Sequence, residues 1–102
     1  MRDYVNEWLA AEKAGDPPDG GLIVRKFVCR SGLSMSIQAS VCHYCSPRRD
    51  GGPWSQVEVG FPTHKLRTLS GYSAGSGVYG FVDTAAVNRI IARNGGPAKD
   101  RP

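Results

Sequence analysis

Two segments of alternating apolar and polar residues, joined by a polar connection, constrain the fold of this chain most strongly. Alternation is unbroken over residues 33–41 and resumes over residues 57–61. Successive side chains of a β-strand point to opposite faces, so a strict alternation buries only one face. The pattern therefore predicts a sheet with one apolar face and one face in water.

Further strands are expected on either side of this unit. We expect the first strand over residues 22–29, the second over 33–41, the third over 55–61 and the fourth over 78–82. The short turn at residues 30–32 favours antiparallel pairing of the first two, and Pro62 ends the third because proline donates no ladder hydrogen bond. The predicted core residues are Met35, Ile37, Val57, Val59, Phe81 and Ile90.

Two helices flank these strands. Tyr4, Val5, Trp8 and Leu9 follow the spacing of an amphipathic helix, for which Asp3 is a suitable N-cap and Gly15 a suitable stop. A second helix is expected from a cap at Asp83 or Thr84 to Asn94, before two glycines and a proline. The fold class is therefore α+β: an antiparallel four-stranded sheet, a C-terminal helix packed on one face and an N-terminal helix.

The expected organisation is an N-terminal helix (residues 1–15), a linker (16–21), an α+β domain (22–96) and a disordered tail (97–102). The Gly/Ser-rich stretch at residues 70–77 is predicted to be mobile. The sequence leaves open whether the N-terminal helix packs on its own domain or on a partner.

The composition excludes several classes of protein. At 102 residues, with 40% hydrophobic and 22% charged residues, the chain is expected to form one soluble globular domain. Its apolar runs are too short to span a bilayer and its N-terminus has no secretory signal, so we expect a cytoplasmic protein without a membrane partner. Three cysteines, an odd number, argue against a disulfide framework.

The net charge of +4 is unevenly distributed. Residues 1–20 carry five acidic and two basic side chains, whereas the remainder carries eleven basic and four acidic ones. A basic body favours nucleic acid or an acidic protein surface as partner, although the same charge also serves solubility.

The connection between the second and third strands holds the chemically distinctive residues. Cys42 and Cys45 have the spacing of a zinc-chelating pair, which Cys29, His43 or His64 would complete. The chain has no second paired motif of that kind, so ordinary structural cysteines are the preferred interpretation and no cofactor or metal is expected. A redox pair is disfavoured because no helical pattern follows Cys42.

Arginines and aromatic residues occur together in the same connection. Tyr44, Arg48, Arg49 and Trp54 are the predicted partner-binding residues, because arginine and aromatic side chains dominate interface energetics. They also suit a nucleic-acid patch, in which guanidinium groups meet phosphates and rings stack on bases. The alternative is a solvated turn, with Trp54 covering the edge of the sheet.

Enzymatic function has little support in the sequence. Cys45 with His43 or His64 would form a nucleophile–base pair, but no third orienting residue is apparent, so no catalytic residues are assigned. The glycine-rich residues 71–77 lack the Lys-Ser/Thr ending of a phosphate-binding loop and precede a strand instead of a helix.

Several strings resemble small accessory proteins encoded by bacteriophages and prophages. They lie at residues 34–40, 44–48, 57–62, 78–82 and 94–96, so that the likeness covers about residues 22–96. The resemblance implies a protein that binds and blocks a host defence or regulatory complex, as anti-CRISPR proteins do, in the host cytoplasm. The leading hypothesis is a non-enzymatic inhibitor of this type, and the alternatives are a nucleic-acid-binding accessory protein and a small zinc module.

Overall fold

The computed structural model describes residues 2–14 and 21–98. Within these ranges the chain forms two α-helices, one 3₁₀ helix and five strands. In chain order they are α1 (Tyr4–Lys13), β1 (Phe27–Val28), β2 (Ser34–Gln38), β3 (Gln56–Gly60), the 3₁₀ helix (Arg67–Tyr72), β4 (Ser73–Gly75), β5 (Val78–Asp83) and α2 (Thr84–Arg93).

The predicted α+β class is confirmed, but the sheet has five strands and not four. Its order is β1-β2-β3-β5-β4, and every neighbouring pair is antiparallel. The additional strand, β4, lies in the glycine- and serine-rich stretch that was predicted to be mobile. All three of its residues are exposed, so β4 has no apolar alternation by which the sequence would reveal it. Pairing with β5 across a glycine-containing turn is what makes it a strand.

The first predicted strand is reduced to two residues, and the cause is a side chain. Gln38 at the end of β2 accepts a hydrogen bond from Val24 N (2.9 Å) and donates one to Val24 O (2.8 Å). The backbone of Val24 therefore bonds to this amide group and not to a neighbouring strand. Residues 22–26 do not join the sheet ladder.

The predicted core is confirmed at five positions and wrong at one. Met35, Ile37, Val57, Val59 and Ile90 are buried, but Phe81 is 42% exposed.

The reason lies in the pairing of β3 with β5. Val57 pairs with Val82 and Val59 with Tyr79, so the two residues Gly80 and Phe81 face the single residue between them on β3. This β-bulge breaks the alternation of β5 and leaves Phe81 on the surface, with its N–H bonded to Tyr44 O (2.9 Å).

Helix α1 packs on its own domain, which answers the question that the sequence left open. Val5 and Leu9 are fully buried. Asp3 caps the helix by accepting from Asn6 N (3.1 Å), and Asn88 of α2 accepts from Val5 N (3.0 Å). The two helices are therefore held together at the first turn of α1 by hydrogen bonds as well as by apolar contact.

Some predicted segments lie partly outside the described residues. These are most of the linker, the expected helix stop Gly15, and residues 99–102 of the tail. Pro97 and Ala98 belong to the predicted disordered tail, but they are ordered at the end of β1. Pro97 forms an isolated bridge with Cys29, and Ala98 N donates to Val28 O (2.9 Å). No helix in the described ranges is long and apolar enough to cross a membrane.

Candidate functional site: an arginine–aromatic patch

The connection between β2 and β3 (residues 39–55) is ordered by its own hydrogen bonds. Val41 N donates to the carboxylate of Asp50 (3.0 Å), and Val41 O accepts from Nε of Arg48 (3.1 Å). Further along, Ser46 and Gln56 form an isolated antiparallel bridge. Bonds within the connection and one bridge to β3 thus hold its backbone and position its side chains.

Four exposed residues of this region are linked to one another, Val41 through its backbone carbonyl and the other three through their side chains. The rings of Tyr44 and Phe81 are stacked, with centroids 5.8 Å apart and planes inclined by 24°. The guanidinium of Arg48 lies 5.8 Å from the centroid of the Tyr44 ring, and the same arginine bonds to Val41 O. We call Val41, Tyr44, Arg48 and Phe81 the arginine–aromatic patch.

This patch is built where two chain segments come very close together. A Cβ atom placed on Gly80 would lie 3.1 Å from Cβ of Tyr44, so the close approach favours glycine at that position. Tyr44 N donates to the carboxylate of Glu58 on β3 (3.1 Å), and Tyr44 O accepts from Phe81 N (2.9 Å). Both backbone groups of Tyr44 are therefore engaged by the sheet, and its ring lies beside the bulge.

The patch has almost no excess of charge in its surroundings. Arg48 and Arg49 supply two positive groups, whereas Asp50 and Glu58, which bond to the backbone of Val41 and Tyr44, supply two negative ones. Nε of Arg49 donates to Gly51 O (3.0 Å), as Nε of Arg48 does to Val41 O. Each guanidinium has five N–H donors, so these contacts use only a part of its capacity.

Trp54 is buried, unlike the other three predicted partner-binding residues. Of the four predicted partner-binding residues, Tyr44, Arg48 and Arg49 are exposed, but Trp54 is only 4% exposed and offers no ring surface to a partner. Its indole N–H donates to Arg49 O (3.1 Å), and its backbone N–H donates to the side-chain oxygen of Asn6 (2.8 Å). Trp54 therefore anchors the connection to α1, and its hydrophobicity was the signal for burial that competed with the interface interpretation.

Two members of the patch were missed by sequence reasoning. The sequence predicts Phe81 in the core as an apolar residue of the fourth strand, and the bulge that exposes it depends on the register between β3 and β5. Val41 was taken as the last residue of a strand, but β2 ends at Gln38 and Val41 is 51% exposed. Both residues are apolar and lie in predicted strands, so the sequence pattern indicates burial for each of them.

The three cysteines lie in different environments. Cys42 is exposed, whereas Cys29 and Cys45 are buried. Burial raises the pKa of Cys29 to about 11 and also raises the pKa of Cys45, whose thiol donates to Ser40 O (3.2 Å). Both buried thiols are therefore protonated near neutral pH. In the described part of the chain, no three His, Cys, Asp or Glu side chains are grouped so that they could hold a metal ion.

His43 pairs with a serine and not with Cys45. Its Nδ1 lies 2.7 Å from Oγ of Ser40, and that hydroxyl also accepts from Cys42 N (3.0 Å). Burial lowers the pKa of His43. Ser40 is completely buried, so this Ser–His pair does not meet a substrate from solvent and instead braces the start of the connection.

A cavity of about 550 Å³ lies between α1 and residues 50–54. Its polar lining is already occupied by contacts within the chain. Asp3 bonds to Asn6 and Asn88, Glu7 forms an ion pair with Arg2, and the ammonium of Lys13 lies 5.6 Å from the Trp54 ring centroid.

No family model, curated protein or solved structure matches this chain.

Proposed function

We propose that this chain is a non-enzymatic binding protein of phage type that inhibits a host defence complex, in the manner of anti-CRISPR proteins, by occupying its surface. It would act in the cytoplasm of the host cell. The observation that carries the proposal is the arginine–aromatic patch, together with Arg49 beside it. The resemblance to phage accessory proteins supplies the host setting.

The composition of the patch supports contact with a macromolecule. Two stacked aromatic rings and an aliphatic side chain are exposed together, and leaving apolar surface in water forgoes a favourable transfer free energy. Aromatic and arginine side chains are the residue types that carry most of the binding energy at protein interfaces. Binding of a partner that covers these side chains is therefore energetically favourable.

The backbone behind the patch supports the same proposal. Val41 and Tyr44 are each held by two hydrogen bonds, and Phe81 is held by Tyr44 O. Side chains on a backbone that is already ordered lose less conformational entropy on binding than those of a flexible loop. The patch is therefore organised before any partner arrives.

A non-enzymatic role is favoured by the state of the nucleophiles. The buried thiols are protonated, and the serine that pairs with His43 is fully buried. A zinc module is not supported, because residues 2–14 and 21–98 contain no group of three His, Cys, Asp or Glu side chains that could hold a metal ion. Nucleic-acid binding remains the second candidate, because residues 21–102 carry eleven basic and four acidic side chains.

Affinity capture tests the proposal. The tagged protein is incubated with lysates of bacterial hosts, captured complexes are identified by mass spectrometry, and their activity is assayed with and without the purified protein. We expect Arg48→Ala/Arg49→Ala to recover at least about tenfold less of a specific complex, since interface arginines are frequent hot spots. The wild-type protein should inhibit the activity of that complex.

The matched control is Arg89→Ala/Arg93→Ala, which removes the same charge from exposed positions of α2. It should capture as much complex as the wild type. Equal losses in both double variants would show that only net charge matters. If the protein shifts DNA or RNA instead, with an affinity that falls linearly on a log–log salt plot, the nucleic-acid candidate replaces this proposal.

A further inference from the structure

Both non-glycine residues with positive φ in the described chain are phenylalanines on the surface. Phe61 has φ 50° and is 58% exposed, and Phe81 has φ 51° and is 42% exposed. A bulky side chain in the left-handed region is strained, and an exposed phenylalanine gains little from burial. The presence of phenylalanine at position 81 is therefore explained neither by its backbone conformation nor by burial within the chain.

The ring of Phe81 adds little to the core. Its neighbour Val82 occupies the inward position of β5 and is completely buried. The ring of Phe81 instead stacks on Tyr44, which is itself exposed. The stacked pair therefore presents aromatic surface to solvent, with Val41 and Arg48 beside it.

The surrounding donors define what the patch would recognise. Nε of Arg48 and Nε of Arg49 are fixed on Val41 O and Gly51 O, which leaves guanidinium N–H groups to pair with oxygen atoms of a partner. A carboxylate suits the planar fork of an arginine, which binds it through two hydrogen bonds. The patch thus combines an apolar contact with one site for a carboxylate at Arg48, and Arg49, the next residue in the chain, offers a second.

The nearby acidic groups favour a protein over a nucleic acid. Asp50 and Glu58 are bonded to the backbone of this same region, so a polyanion with one phosphate per nucleotide would pass close to fixed negative charges. A protein segment with one apolar side chain and one or two carboxylates brings less negative charge to the region, and it can place its apolar side chain on the rings and its carboxylates on the arginines.

We infer that the arginine–aromatic patch takes an aromatic or large aliphatic side chain flanked by carboxylates on a partner protein, with Phe81 and Val41 as specificity-determining contacts. The inference rests on the proposed function and states the chemistry of its partner.

Nuclear magnetic resonance titration of the ¹⁵N-labelled protein tests it directly. The probe is the peptide acetyl-Glu-Leu-Trp-Glu-amide at millimolar concentration. The controls are the same peptide with lysine in place of both glutamates, and a short oligothymidylate. We expect the acidic peptide to shift the amide resonances of Val41, Tyr44 and Phe81, and to bind at least about tenfold more tightly than either control.

The matched variants are Phe81→Asn and Phe61→Asn. Asparagine tolerates the left-handed region, so each variant removes an exposed ring without adding backbone strain. Phe81→Asn should weaken peptide binding about tenfold while retaining the dispersed spectrum of a folded protein. Phe61→Asn should bind as the wild type does.

The outcomes separate this inference from the proposed function. No shifts at the patch, equal shifts with the lysine peptide, tighter binding of the oligonucleotide, or equal losses in both asparagine variants would overturn the inference. If capture of a host complex still depends on Arg48 and Arg49 in that case, the proposed function stands. If the peptide binds as expected but capture is unaffected by those arginines, the inference stands and the proposed function fails.

Discussion

Single glycines determine where the aromatic side chains of this protein lie. A Cβ atom added to Gly52 would meet the Trp54 ring at 2.6 Å, and one added to Gly77 would meet the Phe61 ring at 2.8 Å. Real Cβ atoms do not approach other atoms so closely. The absence of a side chain at Gly52 therefore lets the indole lie flat against the connection, which in turn fixes the backbone that leads to the patch.

Gly52→Ala is expected to destabilise the fold by about 1–3 kcal/mol, because the new methyl group displaces the buried Trp54 ring. The neighbouring variant Gly51→Ala is a matched control, since a Cβ there meets nothing within 4 Å. It should change stability by no more than about 0.5 kcal/mol. Urea denaturation followed by tryptophan fluorescence measures both, and equal effects of the two substitutions would show that the close contact is unimportant.

The first turn of α1 illustrates how an element depends on its neighbour. A helix leaves its first four N–H groups without partners in the helix. Asp3 satisfies Asn6 N from within the segment, whereas Val5 N is satisfied by the side chain of Asn88 on α2. Asn88 also donates to the Asp3 carboxylate (3.1 Å), so local and tertiary capping form one network.

Asn88→Ala is expected to cost about 1–3 kcal/mol of unfolding free energy, since it leaves a buried N–H of α1 without an acceptor. Arg89→Ala changes the adjacent, exposed position of the same helix and should cost no more than about 0.5 kcal/mol. Thermal and urea unfolding followed by circular dichroism compare the two variants. A loss in Asn88→Ala no larger than in Arg89→Ala would contradict the capping role.

The pH dependence of stability belongs to the whole molecule, because unfolding exposes all its titrating groups together. Burial lowers the pKa of His43 below its ordinary 6.5; the Glu58 and Asp50 carboxylates oppose this and Lys13 adds to it. The unfolded chain therefore binds a proton below pH 6.5 that the folded chain does not, and stability falls as the pH drops. Cys29 retains its proton up to about pH 11 in the fold but only up to about 9.0 when unfolded, so stability falls again across that interval.

We expect the free energy of unfolding to reach a plateau between about pH 7 and 9, with a decline on each side. Urea denaturation across the pH range measures it. His43→Asn should flatten the decline between about pH 6.5 and 5, while the alkaline decline remains, because Cys29 is unchanged. An acid decline that persists in full in the variant would exclude His43 as its source.

Patterns within single segments of the sequence predicted the strands and helices whose buried face is set by the order of their own residues. Alternation in β2 and β3 placed Met35, Ile37, Val57 and Val59 correctly in the core, and Asp3 caps α1 as expected. Such patterns succeed because the periodicity of a strand or helix converts residue order directly into a buried face.

Contacts between distant residues decided what the local patterns did not contain. The bulge opposite β3 moves Phe81 to the surface, pairing with β5 makes β4 a strand, and Asn6 of α1 binds the backbone of Trp54. Each depends on the register or position of a second segment, which no periodicity within the first one encodes. The chain's own order of residues thus determined the α+β class and most of the apolar face, whereas the candidate binding surface arose only when β5 and the connection after β2 came together.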